Sequence, residues 1–242
     1  MMKLQSLISK LSVQTMIAAM TVAISASAIA ASPSVNEKLA KEGDAVAQLM
    51  MGISYSEGSD GFSKNPKKAA DWFLKSANQD NEDAQFSLGQ MYQKGDGVKK
   101  DYMAAKRWFY KAAKQGNAEA EYNLGELYGK GQGVPQSYDK AFMWYQESAK
   151  RGYMVAEHKV GQMYQFGRSV EQNDEKAYEW QVKAADQGYA PAQYSVGAAL
   201  ANGVGVAKNH TLAKEYLADA CQNGESRGCG LLKSMNIREQ SK

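Results

Sequence analysis

The feature that most constrains this chain is a repeat with a period of 36 residues. Small and aromatic side chains return at that step along most of the sequence. The small ones are Ala69, Ala105, Ala141, Ala177 and Ala213, and the aromatic ones are Trp72, Trp108, Trp144, Trp180 and Tyr216. A fixed period of this length is typical of solenoids, because one unit cannot bury its apolar face alone and stacked units share a core. The sequence therefore predicts five stacked units over residues 43–223.

Each unit is predicted to be two helices joined by a glycine-containing turn. In one copy, Ala120, Leu124 and Leu127 follow helical spacing, glycines interrupt it at 131–133, and it resumes at Ala141. The second helix starts at a side chain that can cap free backbone N–H groups and closes at a glycine, except for Asp80 in the first unit. The capping residues are Asn65, Asp101, Ser137, Asn173 and Asn209, and the closing glycines are Gly116, Gly152, Gly188 and Gly224.

Small residues mark the places where the two helices of a unit approach each other. We expect the aromatic residue of the Trp72 series to fill the wider gap between them. The small residues on the first helix are Gly52, Gly89, Gly125, Gly161 and Gly197, and those on the second are Ala77, Ala113, Ala149 and Ala185.

The pattern of residues 120–134, followed by Ala141, Trp144 and Ala149, resembles the Sel1-like repeat, a relative of the tetratricopeptide repeat. The resemblance recurs five times along the chain. It implies an all-α fold, a right-handed α/α superhelix (solenoid) of five 36-residue helix-turn-helix repeats. A C-terminal capping helix and tail would occupy residues 224–242. The first loop carries an insertion, and the last unit has Tyr216 in place of tryptophan.

The N-terminus has the pattern of a secretory signal peptide over residues 1–31. Lys3 and Lys10 precede an apolar stretch that ends in alanine-rich sequence, and no acidic residue occurs there. The alternative is a transmembrane anchor, but the apolar stretch is shorter than the roughly 20 residues that a spanning helix needs. Cleavage is expected between Ala28 and Ser32, followed by a linker over 32–42. The protein is thus predicted to be periplasmic or secreted.

Charge and composition narrow the possible partners. The chain has 29 Lys and Arg against 26 Asp and Glu, and removing the two lysines of the signal leaves 27 − 26 = +1. This balance predicts no clustered cationic face, so nucleic acid is not expected as a partner. Only two His and two Cys occur, and no ligand spacing connects them. No metal and no cofactor are therefore predicted.

The two cysteines lie eight residues apart near the C-terminus. Cys221 takes the register of Ala185 at the end of a second helix, and Cys229 falls in the next helix, across a short turn. A disulfide fits this antiparallel arrangement, whereas two reduced thiols are the alternative. The same spacing resembles the secreted cysteine-rich branch of Sel1-like proteins, which carry it in every repeat.

No convincing active site is present in the sequence. Some cysteine-rich relatives are described as binding penicillins or hydrolysing β-lactams, and one Ser-x-x-Lys pair, Ser137 with Lys140, occurs here. Ser137 lies in the N-cap register, so its hydroxyl is expected to bind backbone N–H groups instead. The Ser-Asp-Asn and Lys-Thr-Gly elements that accompany such a pair are missing. The protein is predicted not to be an enzyme.

The resemblance also implies a binding surface. In tetratricopeptide geometry, the first helix of each unit lines the concave face, so positions near its glycine would contact a protein or peptide partner. The first row is Leu49, Phe86, Tyr122, His158 and Tyr194; the second is Ile53, Gln90, Glu126, Gln162 and Ala198; Gln93 and Gln165 lie one turn further. Rings supply contact area, and amides can bond to a peptide backbone.

These features favour a non-enzymatic scaffold that binds an exported or envelope protein in its groove, as an adaptor or regulator. One alternative is an immunity protein that neutralises a secreted toxic effector such as a lipase, a role known among periplasmic Sel1-like proteins. A second alternative is penicillin binding or weak β-lactamase activity, as in the cysteine-rich relatives.

Overall fold

The computed structural model describes residues 33–240, with side chains from 35 to 237, so the predicted signal peptide lies outside the described residues. Within that range the chain forms twelve α-helices and no strand. They are α1 Pro33–Glu42, α2 Ala45–Glu57, α3 Pro66–Ala77, α4 Glu82–Lys94, α5 Tyr102–Gln115, α6 Ala118–Lys130, α7 Tyr138–Lys150, α8 Met154–Phe166, α9 Asp174–Asp186, α10 Ala190–Asn202, α11 His210–Gln222 and α12 Ser226–Gln240.

Consecutive helices pair as the repeat predicts, α2 with α3 in the first unit and α10 with α11 in the fifth. The helices group into two compact bodies, an N-terminal one that runs to Trp144 and a C-terminal one that begins at Tyr145. Each body has its own apolar core. Phe73, Leu88 and Phe109 lie in the N-terminal cores, and Val196 and Leu217 lie in the C-terminal one.

The segment predicted as a linker is a helix. Helix α1 occupies the place of a second helix preceding the first repeat: Ala40 is buried against Ala47 and Met51, and its carbonyl accepts a hydrogen bond from Gln48 Nε2 at 3.1 Å. The prediction missed α1 because the helix carries no 36-residue signal of its own. Residues 33–42 therefore cap the N-terminal end of the repeats.

The start of each second helix is specified as predicted. The side-chain oxygens of the N-cap residues accept from the backbone N–H three residues on. Ser137 does the same, accepting from the Lys140 N–H at 3.3 Å. The predicted closing glycines all have positive φ, and Asp80 adopts the same left-handed conformation at φ 60°. Asp80 thus closes its helix in glycine's conformation, which an L-residue adopts at some cost.

The Trp72 series does not fill the gap between the helices of a unit. The residue after each tryptophan does so: a Cβ on Gly52 would lie 2.5 Å from the Phe73 ring, and one on Gly89 would lie 2.6 Å from the Phe109 ring. Trp72 and Trp108 are half-buried and pack against apolar core clusters, and Lys75 and Lys111 lie over their rings. The glycines were located correctly, but the side chain that faces them was assigned one residue too early.

A row of buried polar side chains runs through the first helices. Gln48, Gln85 and Gln193 each donate an amide N–H to the carbonyl eight residues before, at the end of the preceding helix. Each also accepts from an amide at the end of the second helix of its own repeat, as Gln85 does from Gln115 at 2.9 Å. We call these pairs of bonds the amide rungs. Through these bonds, each glutamine links its own helix to the helix before it and the helix after it.

The disulfide prediction is confirmed. Cys221 and Cys229 are bonded, with their Cα atoms 4.8 Å apart. Cys229 falls in the register of Gln193, and its partner lies eight residues before it, the same offset as the bond from Gln193 to Ala185. A covalent bond therefore takes the place of the amide rung at the last position.

Candidate functional site on the first helices

In the N-terminal body, the predicted first row divides into buried and accessible members. Leu49 is only 2% exposed and packs in the core beside Phe73. A partner cannot reach it, so the structure corrects its assignment to a contact surface. Phe86 and Tyr122 are half-buried, and the Phe86 ring lies 5.9 Å from that of Phe109. Phe86 packs against the core cluster of Phe109, and both side chains keep part of their surface accessible.

The second row borders an open cleft of about 220 Å³ in the N-terminal body. Ile53 of α2 and Gln90 of α4 lie on its two sides. Lys94 and Asp96 supply charge at the same cleft, and Phe73 forms part of its apolar floor. The combination of an apolar floor with polar groups on the walls suits a side chain flanked by peptide groups.

The remaining polar positions of this body are partly covered. Gln93 is half-buried. Glu126 forms an ion pair with Lys130 one turn along α6, and only 13% of its side chain is exposed. The Glu126 carboxylate is therefore paired with a cation of its own helix.

In the C-terminal body, His158 is the centre of a buried polar cluster. The residue is 9% exposed, and its Nδ1 lies 2.6 Å from Gln181 Oε1. Its Nε2 lies 3.0 Å from Gln162 Nε2. An amide oxygen can only accept and an amide nitrogen can only donate, so Nδ1 carries the proton and Nε2 accepts. Both ring nitrogens are engaged, which makes His158 a positioning residue rather than a direct contact.

The surroundings keep this histidine neutral. Burial lowers the pKa of His158 below its ordinary value, and the nearby cations of Lys159 and Arg227 lower it further. The bond to Gln181, second in size to burial, and the weaker effect of the Glu225 charge raise the pKa of His158, but the net shift is downward. The neutral ring accepts from the Gln162 amide nitrogen, so this bond orients the Gln162 side chain.

Aromatic rings and one ion pair surround the cluster. The Tyr189 ring meets His158 edge-on at 5.3 Å, and the Arg227 guanidinium lies over the Tyr194 ring at 4.5 Å. Arg227 also donates through two nitrogens to Glu225, at 2.8 and 2.7 Å. These bonds lower the pKa of Glu225 to about 2. Tyr194 is thus half-buried under a paired cation.

Two predicted positions complete this body. Gln165 is exposed and borders a small cavity of about 30 Å³ together with Ser195 and Gln181. Ala198 is half-buried.

Gln181 was not predicted as a site residue, although its place in the repeat distinguishes it. The position is Phe73, Phe109, Tyr145 and Leu217 in the other repeats, so a glutamine there departs from an otherwise apolar series.

The Ser137 hydroxyl caps α7, as predicted. Within residues 33–240, no group of three or more His, Cys, Asp or Glu side chains could hold a metal ion. No helix in that range has the length and apolarity needed to cross a membrane.

Comparison with solved structures finds the same architecture in several bacterial proteins. A Sel1 repeat protein from Oxalobacter formigenes is 35% identical, with a TM-score of 0.75 over 80% of this chain and 78% of that one. A protective antigen of uropathogenic Escherichia coli with an SLR fold is 32% identical, with a TM-score of 0.77 over 83% of this chain. The chain spans only 43% of that antigen.

An immunity protein from Pseudomonas aeruginosa is 23% identical, with a TM-score of 0.52 over 79% of this chain and 73% of that one. At this identity the likeness shows the fold alone. No match was found among curated proteins.

The Sel1 repeat family matches in five successive segments, residues 45–81, 82–117, 118–153, 155–189 and 190–225. These segments coincide with the helix pairs from α2 to α11. The predicted all-α solenoid of five repeats is confirmed. The chain belongs to the Sel1 repeat family, whose fold is a generally non-enzymatic scaffold known for protein–protein interaction.

Proposed function

We propose that the protein is an exported scaffold that binds a segment of a protein partner on the first helices of its repeats. The cleft between α2 and α4 is the observation that carries this proposal. Ile53 and Gln90 border it, and both are only partly buried. The lining combines apolar side chains such as Ile53 and Phe73 with the Gln90 amide and charged groups, a mixture that suits a peptide segment.

The C-terminal body supports the same proposal by a different route. In the His158 cluster two buried polar side chains, His158 and Gln181, orient the amide of Gln162. An amide whose orientation is already fixed can bond to a peptide group with little further loss of side-chain entropy. Tyr194, under the Arg227 cation, supplies a neighbouring ring for contact.

Export is the second part of the proposal. It rests on the charged, apolar and alanine-rich pattern of residues 1–31. The Cys221–Cys229 disulfide supports it, because such bonds persist in oxidising compartments. Cell fractionation of the tagged protein, with the mass of the mature chain, tests this part. A cytoplasmic protein that retains residue 1 would contradict it.

Site-specific photo-crosslinking tests the binding surface. A photoreactive residue at Gln90 or Gln162 is expected to capture one dominant partner, and Tyr122→Ala is expected to weaken the capture from Gln90. The matched control places the same residue at Asp71, which is exposed on α3 away from the cleft. Equal capture from position 71, or none from positions 90 and 162, would reject this surface.

The same experiment separates the alternatives. A captured toxic effector would identify an immunity protein, whereas an envelope protein would identify an adaptor or regulator. Incubation with a chromogenic β-lactam tests the penicillin alternative, and no hydrolysis is expected because the Ser137 hydroxyl is committed to its helix cap.

A further inference from the structure

A stripe of exposed cationic and apolar side chains runs along α5. Its members are Met103, Arg107, Tyr110, Lys111 and Lys114, and their spacing places them on one face of the helix. All five are exposed, Met103 by 50% and Tyr110 by 48%. This α5 stripe lies on a second helix of the repeat, so it is separate from the proposed partner surface on the first helices.

Helix α3 carries part of this character one repeat earlier, although Asp71 stands at the position of Arg107 and Asn78 at that of Lys114. Lys67, Leu74 and Lys75 are exposed at the positions that match Met103, Tyr110 and Lys111. On both helices a lysine extends over a half-buried tryptophan, Lys75 over Trp72 at 4.0 Å and Lys111 over Trp108 at 4.5 Å. An aromatic ring and a cation therefore lie side by side on each helix.

The repeat does not require this charge. Helix α9 has the same register and packing, yet its equivalent positions are Glu175, Glu179, Val182, Lys183 and Asp186. The net charge of the chain is small, so it does not reveal that cations predominate on α5 and acids on α9. The expectation that the protein lacks a clustered cationic face is therefore wrong for α5.

The cations of the α5 stripe are available for an outside partner. Helix α5 contains Lys106, Arg107, Lys111 and Lys114 and no acidic residue. Among the side chains described from 35 to 237, no ion pair involves any of these four. The charges are unpaired, so their attraction extends into solution.

We propose that the α5 stripe and the neighbouring face of α3 bind the surface of a bilayer that contains anionic phospholipids. An exposed helix face is a ridge without a pocket for a protein side chain, but it fits a flat surface. The apolar tips of Leu74, Met103 and Tyr110 enter the headgroup layer, while the long cationic side chains reach the phosphates around them. Each cation near such a surface strengthens binding about 5-fold.

Vesicle co-sedimentation of the full chain tests this. Binding to phosphatidylcholine vesicles that contain phosphatidylglycerol is expected to exceed binding to pure phosphatidylcholine, and to fall as salt is raised from about 0.05 M to about 0.5 M. The variant Arg107→Glu/Lys111→Glu is expected to bind at least about 25-fold more weakly, because it loses two attractions of about 5-fold each. Its helicity should be unchanged, since both side chains are exposed.

The matched control is Lys176→Glu/Lys183→Glu on α9, which changes the net charge equally at exposed positions. It is expected to keep wild-type binding. An equal loss in the control would show a net-charge effect and overturn the proposal. So would equal binding to both vesicle types, or binding of duplex DNA or an acidic protein by the stripe in place of vesicles.

Tryptophan fluorescence gives a second readout that residues 1–31 cannot produce, because they contain no tryptophan. Brominated phosphatidylglycerol is expected to quench wild-type fluorescence. Trp108→Phe should remove more of that quenching than Trp180→Phe, since Trp108 lies beside Lys111 of the stripe. Equal effects of the two substitutions would overturn the assignment to α5.

Discussion

At the residue scale, Glu157 occupies a position that is glutamine in three other repeats. It is buried and accepts a bond from Gln187 at 2.7 Å. Burial raises the pKa of Glu157 above its ordinary value, although the Gln187 bond and the Lys183 charge oppose the shift. A raised pKa means that the protonated form is favoured on folding, and this contribution is lost as pH rises through the folded-state value.

Glu157→Gln is therefore expected to stabilise the protein near neutral pH by about 1 kcal/mol, since a neutral amide can complete the rung. The advantage should shrink at about pH 4, where the wild-type carboxyl becomes protonated. Urea denaturation at both pH values measures it. Glu179→Gln, at an exposed position of α9, is the control and should change little. A loss of stability at neutral pH would contradict this account.

Two glycine substitutions separate close packing from helix propensity. Gly89→Ala should destabilise by about 1–3 kcal/mol, because its Cβ would lie 2.6 Å from the fully buried Phe109 ring. Gly230→Ala in α12 meets nothing within 4 Å and should stabilise by up to about 1 kcal/mol. Thermal unfolding by circular dichroism distinguishes them. Shifts of the same sign would show that the Phe109 contact is not decisive.

The contact between Gly89 and Phe109 was not predicted from the sequence. Glycine and tryptophan both keep the period, and the tryptophan is the larger side chain, so it was taken as the core residue. The residues that face the glycines include Phe73, Phe109, Gln181 and Leu217, which belong to three chemical types and therefore produce no visible repeat. The His158 cluster depends on Gln181 and was missed for that reason.

At the element scale, the last repeat tests whether the disulfide replaces an amide rung. Cys221→Ala/Cys229→Ala should cost about 2–3 kcal/mol in the chain-entropy model, with loss of hydrogen-exchange protection in α12. Cys221→Ala/Cys229→Gln should regain about 1 kcal/mol, since a glutamine at 229 can donate to the carbonyl at 221. If both variants lose equal protection, the two links are not interchangeable.

The helix pairs were predictable because their boundaries are local. An N-cap side chain and a closing glycine recur in most repeats, and each acts on the backbone beside it. Helix α1 was not predictable in this way, since its place is set by packing of Ala40 on Met51 rather than by the period. The first helices of the last two repeats also lack a side-chain cap, having Tyr153 and Tyr189 at that position.

At the scale of the whole molecule, stability should behave as a sum of neighbouring repeats. Gly89→Ala is expected to increase hydrogen exchange in α4 and α5 while α10–α12 keep their protection. Removing the disulfide is expected to do the reverse. Mass spectrometry of exchanged peptides measures both. A uniform loss of protection in either variant would indicate one cooperative unit and contradict the additive picture.

Charge is the property of the whole chain that composition concealed. A total near zero predicts nothing about where the charges lie, and only their assignment to helix faces separates basic α5 from acidic α9.

The covalent link at the last position also makes the end of the chain dependent on its surroundings. The amide rungs of the other repeats are hydrogen bonds, which form in any compartment. Two free thiols cannot form the equivalent hydrogen bond between a glutamine amide and a backbone carbonyl. In a reducing environment α12 would therefore detach first, leaving a frayed tail of the kind that proteases engage. Under the proposed export, the bond between Cys221 and Cys229 would form on delivery to an oxidising space and fasten α12 to the repeats there.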